Sequence, residues 1–140
     1  MTSLLDLNFD DITDLKPAEE GENKLRVLNG KVGFGKDSGN PYFMVQFEIP
    51  GMMNSKDFNW LVMLPTEAMD QKKAEAKGRA LKGFCKAFAV DLAELWSQIK
   101  AAVASGAATT IDLVEGAEGW AILGTEEDDF GVKNRVKKFL

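Results

Sequence analysis

The chain has 140 residues, with 17 Lys and Arg against 22 Asp and Glu, no histidine and one cysteine, for a formal charge of −5. That length suits one domain with a substantial core, and a chain 45% hydrophobic and 28% charged reads as folded rather than disordered or membrane-embedded. Absence of His removes the commonest general base and a favoured zinc ligand, and lone Cys85 can form neither an internal disulfide nor a CxxC site, so no metal or cofactor is expected.

The charge is uneven. Residues 1–23 hold seven acids and one base, a balance of −6, whereas residues 24–140 hold fifteen acids and sixteen bases, a balance of +1. An acidic arm can therefore set the overall sign while the body carries a basic surface. The chain divides on this basis into an arm, residues 1–23, and a single domain, residues 24–140. In the arm, the spacing of Leu5, Phe9 and Ile12 suits a short amphipathic turn, set against a frayed or loosely docked terminus. No apolar run approaches the ~20 residues that span a bilayer, and the start lacks the basic region of a secretory signal, so a cytoplasmic protein without membrane contact is expected.

From Lys24 the hydrophobic period is two. Leu25 and Val27 alternate with Lys24 and Arg26; Asn29-Gly30 interrupts at a point that predicts a bulge or bend; Val32 and Phe34 resume the strand. Residues 35–41, rich in turn formers, lead into Tyr42–Ile49, with Phe43, Val45, Phe47 and Ile49 on one face and Tyr42, Met44, Gln46 and Glu48 on the other. A third strand is predicted over Asp57–Leu64. Thr66 then reads as the N-cap of a helix carrying Leu81, Phe84, Cys85 and Phe88 on one stripe. Asp91 caps a second helix with Leu92, Leu95, Trp96, Ile99 and Val103 on one face, Trp96 in the core, and Ser105-Gly106 as its stop. Short strands are predicted at Ile111–Val114, Trp120–Thr125 and Val132–Phe139. Three strands, helices, then further strands give a mainly β protein with the element order of an OB-fold, a five-stranded Greek-key barrel with a helix or helix pair between strands three and four.

Two motifs are set aside. Gly30 to Asp37 nearly fits the G-x-x-x-x-G-K-[ST] phosphate loop, but Asp37 cannot supply the magnesium-binding hydroxyl and a strand, not a helix, follows. The run Glu126 to Asp129 reads as a turn between strands, because metal sites gather carboxylates from several elements. The bases and aromatics say more. Single-strand binders combine a basic groove with exposed aromatics that stack on bases. Tyr42 and Met44 point away from the core face; Lys24, Arg26 and Lys31 lie on the first strand and Lys36 in the hairpin loop; Lys133, Arg135 and Lys137 share one face of the last strand. Trp60 faces either the groove or the core, depending on which face of its strand is buried. These cations form either a phosphate-binding surface or ordinary solvated strand faces. The six bases of residues 71–86 likewise make either a second phosphate-contacting surface or a soluble helix face.

The joint order of several segments resembles the phage- and prophage-encoded OB-fold single-stranded DNA-binding proteins, over roughly residues 7 to 140. It is carried by LeuAsnPheAspAsp (7–11), LysAspSerGlyAsnProTyr (36–42) running into ValGlnPheGluIle (45–49), LeuValMetLeuPro (61–65), LeuLysGlyPheCysLysAlaPhe (81–88), and the closing stretch from Glu126 through AsnArgValLysLysPheLeu. The resemblance implies a non-enzymatic protein of the host cytoplasm that coats single-stranded DNA during phage replication or recombination, with little sequence preference. It implies a groove over strands two and three, touching Tyr42, Trp60 and the basic strands, and phage recombination or replication proteins as further partners; self-association is compatible with it. This chain departs from many single-strand binders in carrying its acids at the N-terminus and bases at the C-terminus. The alternative expectation is an adaptor module for a phage recombinase, nuclease or replication protein, contacting it through Met52-Met53 and the acidic arm.

Overall fold

The computed structural model describes residues 14–140 apart from Met53 and Phe130. The expected amphipathic turn of the arm and the Met53 contact lie outside the described residues. β1 (Gly21–Phe34) starts earlier than the alternation at Lys24 suggests and buries Leu25, Val27 and Val32. Its register against β2 (Pro41–Glu48) slips between Val27 and Asn29, the bend expected at Asn29-Gly30. Gly30 is required there, because a Cβ at that position would stand 2.5 Å from a Val114 methyl. On β2, Phe43, Val45 and Phe47 are fully buried, and β3 (Phe58–Met63) pairs antiparallel with it. The hairpin loop between β1 and β2 is closed by Gly35 N–H donating to the Asn40 carbonyl at 2.8 Å, with Gly39 in the left-handed region at φ 70°.

α1 (Gln71–Phe88) is capped not by Thr66 but by Asp70, whose carboxylate accepts the Lys73 N–H at 2.8 Å. Thr66 instead closes a turn, its carbonyl accepting the Met69 N–H at 3.0 Å. Asp91 caps α2 (Leu92–Ser105) as expected, accepting from the Glu94 N–H at 3.0 Å, and Gly106 ends it in the left-handed conformation. The strand expected at Ile111–Val114 is absent. A two-residue β4 (Thr109–Thr110) pairs with Lys31 and Val32, and Asp112–Val114 forms a 3₁₀ turn. Ile111 and Val114 are both buried three positions apart, the repeat of a 3₁₀ helix and not of a strand. β5 (Glu118–Asp128) and β6 (Gly131–Phe139) form the closing hairpin.

Among the described residues the protein is one mainly antiparallel sheet in the order β3-β2-β1-β5-β6, with β4 on β1 and two helices between β3 and β4. It has six strands, not the expected five, and no hydrogen-bonded ladder joins β3 to β6 to close a barrel. Rings meet across that seam instead: Trp60 of β3 lies 4.9 Å from Phe139 of β6, edge to face. Both rings also pack on Phe84, which α1 delivers to the inner face of the sheet beside Phe43, Phe47 and Phe88. A buried Phe stabilises by roughly 1.5–3 kcal/mol, so this cluster dominates the core. Residues ahead of β1 dock on the same body. Lys16 bridges Ser55, and the buried Asn134 of β6 accepts the Ala18 N–H at 2.7 Å while donating to the Ala18 carbonyl at 3.0 Å and the Gly124 carbonyl at 3.3 Å. No helix of the described residues is long and apolar enough to cross a membrane.

Candidate nucleic-acid interface

The outer face of β1, β2 and β3 is set by their registers. Lys31 stands opposite Met44 and Gly33 opposite Tyr42; on the other side of β2, Met44 stands opposite Leu61 and Tyr42 opposite Met63. Asn29 and Gln46 are joined by a side-chain hydrogen bond of 2.8 Å, and Asn59 continues the row. Thr110 of β4 flanks Lys31. These residues carry no carboxylate, and Glu48, next along the same face of β2, is paired with Arg26 at 3.2 Å. Leu61 is 48% exposed.

Tyr42 is held in a defined place. A Cβ built on Gly33 would lie 2.5 Å from the Tyr42 hydroxyl oxygen, 2.6 Å from Cζ and 3.0 Å from Cε2. The ring therefore lies across the glycine backbone of the neighbouring strand, a cross-strand pairing that fixes an aromatic flat on a sheet. The glycines of the apparent phosphate loop thus have packing reasons: Gly30 admits Val114 and Gly33 admits Tyr42.

The predicted site residues separate into groups. Lys31, Tyr42 and Met44 come together on the patch, with Lys36 exposed in the adjoining loop. Trp60 takes the inward of its two readings. It is half-buried, with its ring stacked 5.3 Å from Phe84, so Leu61 and Met63 occupy the outer face of β3 in its stead. Lys24 and Arg26 lie further back along β1 in a charge network. Arg26 reaches Glu48 at 3.2 Å and Glu118 at 3.6 Å, and Lys24 reaches Glu118 at 3.7 Å. On β6, Lys133 pairs with Asp128 at 2.8 Å and Glu126 at 3.6 Å, and Lys137 with Glu20 at 3.7 Å. A hydrogen bond and the charge of Asp128, with smaller help from Glu126, hold the Lys133 ammonium above its ordinary pKa. Arg135 and Lys138 of β6 and Lys36 of the loop are exposed and Lys31 is half-buried; none of the four makes an ion pair among the described residues.

Beside the Arg26 network a small hollow of about 190 Å³ contains Glu48 and Asp57. Burial first, and then the charge of Glu48, push the Asp57 carboxyl above its usual range. Two carboxylates are too few for a cation cage, and among the described residues no group of three or more acids, His or Cys could hold a metal. Glu126 to Asp128 form the end of β5 rather than a turn, and two of them are committed to Lys133.

Trp120, which alternation does not single out, is 51% exposed on β5 opposite Lys24. Leu140 donates its N–H to the Trp120 carbonyl at 3.0 Å and is itself 48% exposed. The alternation of β5 gives no warning, since Gly119, Ala121 and Leu123 are the inward residues. No family model and no curated protein sequence matches the chain.

Proposed function

We propose that the protein binds single-stranded DNA without catalysing a reaction, using the outer face of β1, β2 and β3. The observation that carries this reading is the patch on which Tyr42 lies over Gly33 beside Lys31. A ring fixed on a sheet offers its other face to a base, and such stacking is indifferent to base identity because every base has a π-face. Met44 and Leu61 extend the apolar surface, the Asn29–Gln46 pair supplies donors and acceptors, and Lys31 and Lys36 answer phosphate. Lys24, Arg26, Lys133 and Lys137 join only by exchanging a carboxylate for a phosphate, so they act as a reserve that acids hold in check.

The strand order β3-β2-β1-β5-β6, the helices after β3 and the rings that meet between β3 and β6 support reading the sheet as an OB-fold. We therefore extend the reading to an OB-fold single-strand binder of the phage type suggested by the sequence resemblance, acting in replication or recombination in the cytoplasm of a host. Binding of fluorescein-labelled oligo-dT, followed by anisotropy against a duplex of equal length, tests the proposal. The single strand is expected to bind more tightly; equal affinity for both, or none for either, would count against it.

A further inference from the structure

A second surface feature lies on the helices. α1 and α2 leave an apolar cleft of about 570 Å³ lined by Pro65, Ala74, Gly78, Leu81, Leu92 and Trp96, among others. It continues past Pro65 and Trp96 into a hollow of about 230 Å³ that reaches Lys100 and Val103. Trp96, expected in the core, is thus a half-buried wall of this cleft, and Leu92 is 37% exposed at its mouth. The rim is basic. α1 carries Lys72, Lys73, Lys77, Arg79, Lys82 and Lys86 against Glu75 alone. Lys77 stands three residues after Ala74 and four before Leu81, and Lys82 four after Gly78, so both border the apolar line.

An occupant of this cleft needs an apolar stripe with acids around it. Residues 1–13 have that character: Leu5, Phe9 and Ile12 at i, i+4 and i+7, with Asp6, Asp10 and Asp11 and no Lys or Arg. The spacing repeats that of Ala74, Gly78 and Leu81 on α1. Within one molecule the short link from Lys16 to Ile12 works against seating the whole stripe. Lys16 is fixed beside Ser55, its N–H donating to the Asn54 carbonyl at 2.9 Å, ahead of the start of β3, whereas Pro65 lies past its end. The strand alone spans about 16 Å at ~3.3 Å per residue, while the four residues from Lys16 to Ile12 reach at most about 14 Å fully extended.

We propose that the cleft receives residues 1–13 of a second copy of the chain, joining molecules head to tail. The contact is heterologous, so each molecule offers one stripe and one cleft, and open chains of molecules result unless the rotation closes a ring. Sedimentation velocity of the full chain over roughly micromolar to hundred-micromolar concentration tests this. Average mass should rise with concentration. Leu92→Glu, which charges the cleft, and Phe9→Glu, which charges the stripe, should each stay monomeric to a concentration about tenfold higher or more. An equal mixture of the two variants should give one-to-one dimers and nothing larger, because the intact stripe of the first fits the intact cleft of the second. Circular dichroism of both variants should match that of the parent. A full chain monomeric throughout, self-association of Phe9→Glu equal to the parent's, or no dimer in the mixture, would overturn the proposal.

Discussion

Replacing Tyr42 by Ala removes the one aromatic ring that the structure fixes on the candidate interface. Stacking of a base on an aromatic side chain is worth ~1–3 kcal/mol by such truncation, so the oligo-dT dissociation constant should rise about 5- to 150-fold. Tyr42→Phe keeps the ring, and among the described residues the hydroxyl makes no hydrogen bond that would be lost, so that variant should bind within about threefold of the parent. Gly33→Ala approaches the same ring from below. Its methyl would stand 2.5 Å from the hydroxyl oxygen and 2.6 Å from Cζ, and the ring must swing off the strand to admit it. Affinity should therefore fall in Gly33→Ala although every side chain that could touch DNA is unchanged. Anisotropy titrations at fixed salt, with thermal melts to establish that each variant is folded, measure all three. A folded Tyr42→Ala that binds within twofold of the parent would refute the reasoning, and an undisturbed Gly33→Ala would refute the proposed seating of the ring.

Two further consequences concern the folded state. Asn134→Ala strips the Ala18 amide and carbonyl and the Gly124 carbonyl of their shared partner, and each buried group left unpaired costs about 1–3 kcal/mol; the urea midpoint should drop with the m-value unchanged, and an unaltered midpoint would show that residues before β1 add nothing to stability. Burial, with a smaller push from Asp91, raises the Cys85 thiol from 9.0 to about 11. Its protonated form is therefore favoured by folding: the contribution is intact below pH 9 and is lost as pH rises from 9 towards about 11. Dithionitrobenzoate at about pH 8 should leave the native thiol unmodified and label it at once in urea, and urea midpoints should fall between about pH 8 and pH 10.5 more in the parent than in Cys85→Ala.

The strands of the first half were legible because their apolar residues alternate without ambiguity: Phe43, Val45 and Phe47 leave one choice of inward face, and with it the outward place of Tyr42 and Met44. The tryptophans were not. Trp60 and Leu61 are both apolar and adjacent, so alternation alone cannot choose between them, and packing on Phe84 and Phe139 decides. On β5 hydrophobicity points the wrong way. α1 comes so close that a Cβ at Gly119 would stand 2.5 Å from the Ala87 carbonyl oxygen, which leaves room only for small inward residues there and turns Trp120 outward. The charge count of the strands was legible, but not its engagement. Glu20, Glu48, Glu118, Glu126 and Asp128 reach Lys24, Arg26, Lys133 and Lys137 only because the sheet registers bring them together. The Ile111–Val114 strand failed for a related reason, since two buried residues three apart suit a 3₁₀ turn under β1 better than a ladder.

The salt dependence of single-strand affinity tests the interface most directly. Four cations on or beside the sheet, Lys31, Lys36, Arg135 and Lys138, make no ion pair among the described residues. With each phosphate contact contributing about −0.7 to the slope of log affinity against log salt, engagement of Lys31 and Lys36 predicts a slope of about −1.5 for oligo-dT, and about −3 where Arg135 and Lys138 of β6 reach the same strand. Recruitment of the four paired bases as well would steepen it to about −6. A slope near zero, or no binding at low salt, would contradict the assignment of this face to nucleic acid.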